Sequence, residues 1–87
     1  MRPLNYAILK LFENGDTYDA SEVMDILRDE YGRFRMFKKK NIIESLMSAE
    51  KNFILEQSYF ELDDNKELCI YYTATEYGEG MIKNYIK

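Results

Sequence analysis

The sequence has no histidine, one cysteine, one proline and four glycines in 87 residues. Each shortage closes a class of function. Without histidine, the usual general base and the commonest metal ligand are missing. A lone cysteine, Cys69, excludes an intramolecular disulfide and a cysteine zinc site. It falls in a strand-like stretch and reads as a small apolar filler. Scarce proline and glycine beside 46% hydrophobic residues describe a folded chain, not a disordered one. No Gly-rich phosphate loop, nucleophile elbow or metal-ligand spacing occurs. The acid pairs Asp63-Asp64 and Glu76-Glu79 read as solvated surface. No enzyme activity, cofactor or metal is expected. No long apolar run exists either, and Met1-Arg2-Pro3-Leu4-Asn5 leads to lysine and acid within a dozen residues. The expectation is therefore a cytoplasmic chain without signal peptide or membrane span.

What is present fits one domain over residues 1–87. Size scaling predicts a folded surface of roughly 5,400 Å², with about 64% of the unfolded surface buried, enough for a single core. The aromatic content, 15%, helps to fill it. Net charge is −4, against the basic footprint of an indiscriminate nucleic-acid binder. Its distribution is lopsided. Residues 1–51 hold nine basic and nine acidic side chains, and residues 52–87 hold three and seven. Arg33, Arg35, Lys38, Lys39 and Lys40 place five positive charges in eight residues with no acid among them.

Periodicity supplies the elements. Leu4, Ala7, Ile8, Leu11 and Phe12 recur as one buried helix face, with Pro3 suited to the first turn and Asn14-Gly15 to a left-handed stop. Asp16-Thr17-Tyr18 is a connector able to make a few strand-like hydrogen bonds. Asp19 and Glu22 have the spacing of a capping box before a helix over about 20–31, whose stripe is Val23, Met24, Leu27 and Tyr31 and whose end is Gly32. Arg33 to Met36 reads as a turn or a ragged helix start. A third helix buries Ile42, Ile43, Leu46 and Met47 and turns Lys38, Asn41, Ser45 and Ser48 outward, with Glu44 at the edge. Strands over 53–62 and 67–73 flank the turn Asp63-Asp64-Asn65-Lys66. Thr75 caps a last helix with Met81, Ile82, Tyr85 and Ile86 as its apolar face.

Three helices, a hairpin and a helix follow the order of a winged helix-turn-helix domain. Tyr6-Ala7-Ile8-Leu9-Lys10-Leu11-Phe12-Glu13-Asn14-Gly15 resembles the opening of PadR-type regulators, where a YAILxLL helix ends at glycine. Tyr71-Tyr72-Thr73-Ala74-Thr75-Glu76-Tyr77-Gly78 is similar to the YYxLTxxG that joins wing to last helix in PadR and MarR relatives. The resemblance implies an α+β fold, a winged helix-turn-helix of three helices, a two-stranded wing and a C-terminal helix. It also implies double-stranded DNA as partner and transcription regulation as a homodimer. The recurring threonine and glycine have structural roles of their own, a cap and a close helix–strand approach, so they speak for the fold before they speak for DNA.

In such a domain the third helix enters the major groove. Asn41 would offer its amide to adenine, Lys38 would reach guanine or phosphate, and Ser45 and Ser48 would let the backbone approach. Arg33, Arg35, Lys39 and Lys40 would hold flanking phosphates. The plain alternative is that these lysines are only solvated, or are paired with acids such as Asp29 and Glu30. Lysine at a helix start opposes the helix dipole, so three in a row there call for a compensating partner. The hairpin points the other way, because Glu56, Glu61, Asp63, Asp64 and Glu67 line it with Lys66 as its one cation, and phosphate would repel them. Tyr59, Tyr71, Tyr72, Tyr77 and Tyr85 crowd the C-terminal third. Most are expected in the core, with one row exposed because Tyr71 and Tyr72 lie on opposite strand faces. A protein-docking winged helix, such as an anti-repressor, inhibitor or adaptor working through Glu61, Asp63, Asp64, Tyr71 and Tyr85, is therefore the rival reading. A metabolite sensor carries less weight, since so small a domain has little room for a pocket.

Overall fold

The computed structural model describes all residues, Met1–Lys87. α1 (Leu4–Lys10), α2 (Ala20–Tyr31) and α3 (Lys39–Lys51) are followed by β1 (Leu55–Leu62), β2 (Leu68–Ala74) and α4 (Glu76–Tyr85). This is the order expected, and the fold is α+β. No helix is long and apolar enough to cross a membrane.

Local chemistry sets most of the boundaries. α1 stops at Lys10, short of Leu11 and Phe12. The chain continues in tighter turns, with Leu11, Phe12 and Glu13 donating to carbonyls three residues back, which still bring Phe12 into the core. Gly15 then reverses the chain at φ 84°. At the start of α2, Asp19 accepts from the Glu22 amide at 2.8 Å and Glu22 accepts from the Asp19 amide at 3.1 Å. Both halves of the capping box are thus made. The connector joins the sheet through Tyr18, whose amide and carbonyl both pair with Tyr72.

β1 and β2 pair antiparallel from Leu55↔Ala74 to Leu62↔Leu68, with a bulge between Gln57 and Tyr59. Asp63 builds the turn, as its Oδ1 accepts from the amides of Asn65 and Glu67 at 2.8 and 2.9 Å. Beyond the turn, Thr75 accepts from the Gly78 amide at 2.8 Å and donates to the Phe53 carbonyl at 2.6 Å. Gly78 is required there. A Cβ on it would stand 1.9 Å from the Ile54 carbonyl oxygen.

The core lies where the three N-terminal helices meet the base of the hairpin and α4. Ile8, Phe12, Val23, Ile42, Leu46, Leu55 and Ile82 are fully enclosed. Phe37 is buried as well and anchors the basic loop to this core. Most of the hairpin stands clear, since Leu55 is the only buried residue of β1. The accessible surface of 6101 Å² accordingly exceeds the roughly 5,400 Å² of a rounder chain of this mass.

Three expectations need correction. The buried row of α3 is Ile42, Leu46 and Ala49, while Ile43 and Met47 are 39% and 46% exposed. Small Ala49 lets the neighbouring elements approach, and at 100° per residue this turns the helix by about 60° from the expected setting. On α4, Ile82 and Ile86 are buried but Tyr85 is 72% exposed. The C-terminal aromatics are mostly outside: only Tyr72 is buried, and Phe53, Tyr59, Phe60 and Tyr77 are exposed. The hairpin projects too far for the helices to cover them.

Candidate functional site

The basic loop and the first turn of α3 form one corner of the molecule. Tyr31 and Phe34 pack edge to face at 5.0 Å, Phe37 plugs into the core, and the five cations between and beyond them point to solvent. Arg33, Arg35, Lys38, Lys39 and Lys40 are all exposed. None has an ion-pair partner: the two salt bridges of the molecule are Lys10–Glu13 at 2.6 Å and Arg28–Asp25 at 2.7 Å. Asp29 and Glu30 therefore leave the corner uncompensated. Lys38 occupies the N-cap of α3 without a capping hydrogen bond, and the first turn carries no acid. The dipole and three lysines reinforce one another's positive potential.

The turned α3 redistributes the residues expected on its outer face. Asn41 donates through Nδ2 to the Met36 carbonyl at 3.1 Å, so it ties the loop to the helix. The Ser45 hydroxyl donates to Asn5 Oδ1 of α1 at 2.7 Å. With exposed Ser48, these two line an open groove of about 600 Å³ between α1 and α3, walled by Pro3, Leu4 and Ile8. The ridge farthest from the core carries Lys40, Glu44 and Lys51, all exposed. On the opposite flank, toward the hairpin, Ile43 and Met47 join Lys39, Leu68 and Ile70 around a pocket of about 100 Å³. Sequence reasoning missed Ile43 and Met47 as surface residues because their types alone suggest burial. Their pairing with lysines on either side was the available signal.

The hairpin acids have a different status. Glu61 accepts from the Tyr71 hydroxyl at 3.0 Å, and Tyr71 stacks on Tyr59 with ring centroids 4.4 Å apart. The hydrogen bond to Glu61 holds the Tyr71 phenol above the usual tyrosine range, with desolvation adding to it. Asp63 is committed to its turn. Asp64 projects freely, and Tyr85 lies on α4, apart from the hairpin acids in the chain's architecture. Cys69 is partly exposed, and desolvation and the Asp63 charge push its thiol up, away from the thiolate form. No three acids or cysteines converge as a metal site.

No protein-family model matches the sequence, and no curated protein matches it. Among solved structures, Bacillus subtilis PadR in complex with operator DNA superposes with a TM-score of 0.75 at 24% identity, over 98% of this chain and 47% of that one. The fold is a PadR-like winged helix. In its terms β1–β2 is the wing, and α3 is the helix that precedes it. The chain spans about half the length of the PadR chain it matches.

Proposed function

We propose that this winged helix binds double-stranded DNA as a transcriptional regulator, with α3 in the major groove and the basic corner on flanking phosphates. The observation that carries the reading is the set of five exposed, unpaired cations at the N-terminus of α3. The similarity of fold to a PadR bound to operator DNA supports it. Arg33, Arg35, Lys39 and Lys40 take phosphates, and Lys38 reaches a base or a phosphate. Ser48 is free to approach DNA, while Asn41 and Ser45 read bases only by giving up their bonds to Met36 and Asn5. The working unit is a homodimer, for which exposed Tyr6, Tyr77 and Tyr85 on α1 and α4 offer apolar surface.

Anisotropy of a labelled duplex, titrated at two salt concentrations, tests this. Four phosphate contacts give a log–log salt slope of roughly −3.6. Replacing Lys38, Lys39 and Lys40 by alanine removes two of those four contacts and should flatten the slope by about 1.8. Unchanged affinity in the triple variant would remove the corner from the site.

A second reading has its own observation. The wing exposes Phe60, Leu62 and Leu68 beside Asp64 and Glu67, a surface unsuited to a phosphate backbone. It suits a protein partner with a basic, partly apolar face. Charge reversal at Asp64 and Glu67 separates the two readings, because neither side chain bonds within the fold. Loss of a stoichiometric partner would favour protein docking, and tighter DNA binding would favour the first reading.

A further inference from the structure

The flank of α3 that faces the wing carries two large apolar side chains the core does not use. Ile43 and Met47 are one turn apart and stay substantially exposed, while Ile42, Leu46 and Ala49 do the packing. Lys39 borders the same pocket, and Lys40 stands on the adjacent ridge. An apolar row on a helix that begins with three unpaired lysines needs an occupant that is both anionic and locally apolar. The lysines select a polyanion by charge. On the major-groove edge of duplex DNA, the base-borne apolar group is the thymine C5 methyl.

Spacing agrees with that occupant. Four residues of helix advance about 6 Å. Two base steps along one strand advance about 6.8 Å. The polar side chains that would otherwise read bases are engaged within the chain, Asn41 with Met36 and Ser45 with Asn5. We infer that Ile43 and Met47 read thymine methyl groups about two steps apart, so that the preferred duplex is recognised through apolar contact more than through hydrogen bonds. This rests on the DNA-binding reading above.

The test begins by selecting a tightly bound duplex from a library of randomised duplexes with the full chain. That duplex is then synthesised with deoxyuridine in place of every thymidine, which removes the methyl groups and keeps the base pairs. The unaltered protein should bind the deoxyuridine duplex about tenfold more weakly, the value of two buried methyl groups. Ile43→Ala with Met47→Ala should weaken binding to the thymidine duplex by a similar factor and make the protein indifferent to deoxyuridine. Equal affinity of the unaltered protein for both duplexes would overturn the inference while leaving DNA binding intact. Failure to select any duplex, even at low salt, would overturn the DNA-binding reading and this inference with it. The deoxyuridine comparison uses the unaltered protein, so it stands even if the double variant folds poorly.

Discussion

The basic corner and the acidic wing are equally exposed and oppositely charged, but their charges serve different ends. At the wing, Glu61 holds Tyr71 and Asp63 closes the turn, so two of its acids are parts of the fold. At the corner, Arg33, Arg35, Lys38, Lys39 and Lys40 have no ion-pair partner, and the lysines sit where the helix dipole disfavours them. A charge that stabilises its own fold needs no external partner. A charge held against the fold's interest points outward, and that contrast is the reason for proposing the corner rather than the wing as the interface.

The strongest way to probe the wing is at its root. Gly78→Ala drives a Cβ into the Ile54 carbonyl, where no flexible side chain can yield. We expect a loss of more than about 3 kcal/mol in urea unfolding, with the wing and α4 displaced from one another. A change below 1 kcal/mol would mean that the junction is more pliant than this packing implies.

Within the wing, neighbouring acids should behave differently. Asp63→Ala strips two amides of their acceptor and should cost about 1–2 kcal/mol, whereas Asp64→Ala should stay within about 0.5 kcal/mol. Equal losses would show that the wing acids act as a diffuse field and not through particular bonds. At the corner the sign reverses. Alanine at Lys38, Lys39 and Lys40 should raise stability by about 1 kcal/mol at low salt, and the gain should fade as salt screens the dipole. A thermal melt of the triple variant at two ionic strengths checks this, and a destabilised variant would refute the contrast.

The smallest effect concerns Tyr71. Its hydrogen bond to Glu61 favours the neutral phenol, so its ionisation is raised in the folded chain. The sign follows from linkage: that stabilisation is fully present below the ordinary tyrosine range and is lost as pH rises through the raised folded value. Ultraviolet titration should show Tyr71 among the late-ionising tyrosines, with Tyr18 and Tyr72 also raised by burial. Glu61→Gln should bring Tyr71 back toward the others, and an unmoved titration would mean that Glu61 is not its cause.

Much of this architecture was legible in the residues. The Asp19–Glu22 box, the left-handed Gly15, the Thr75 cap and the close approach at Gly78 all appear where local spacing places them. The cation cluster was equally plain. Its lack of partners was not, because Asp29 and Glu30 are near in sequence and only the path of the chain decides that they pair with none of the five. Ser48 is exposed as expected, but the free outward face expected for Asn41 and Ser45 depended on the setting of α3, and there periodicity misled.

The sequence by itself determined the elements, their order and their caps, because each depends on residue type and on neighbours a few positions apart. Tertiary structure decided the rotation of α3. Its apolar residues Ile42, Ile43, Leu46, Met47 and Ala49 span about 160° of the helix at 100° per residue, wider than the stripe its neighbours cover. Which part of that arc is buried depends on how closely the neighbours approach, and Ala49 permits the approach on its own side. Ile43 and Met47 were thereby left at the surface beside the lysines. The same reason applies to Tyr85 and the aromatics of the wing, whose burial required a covering element that the fold does not place over them.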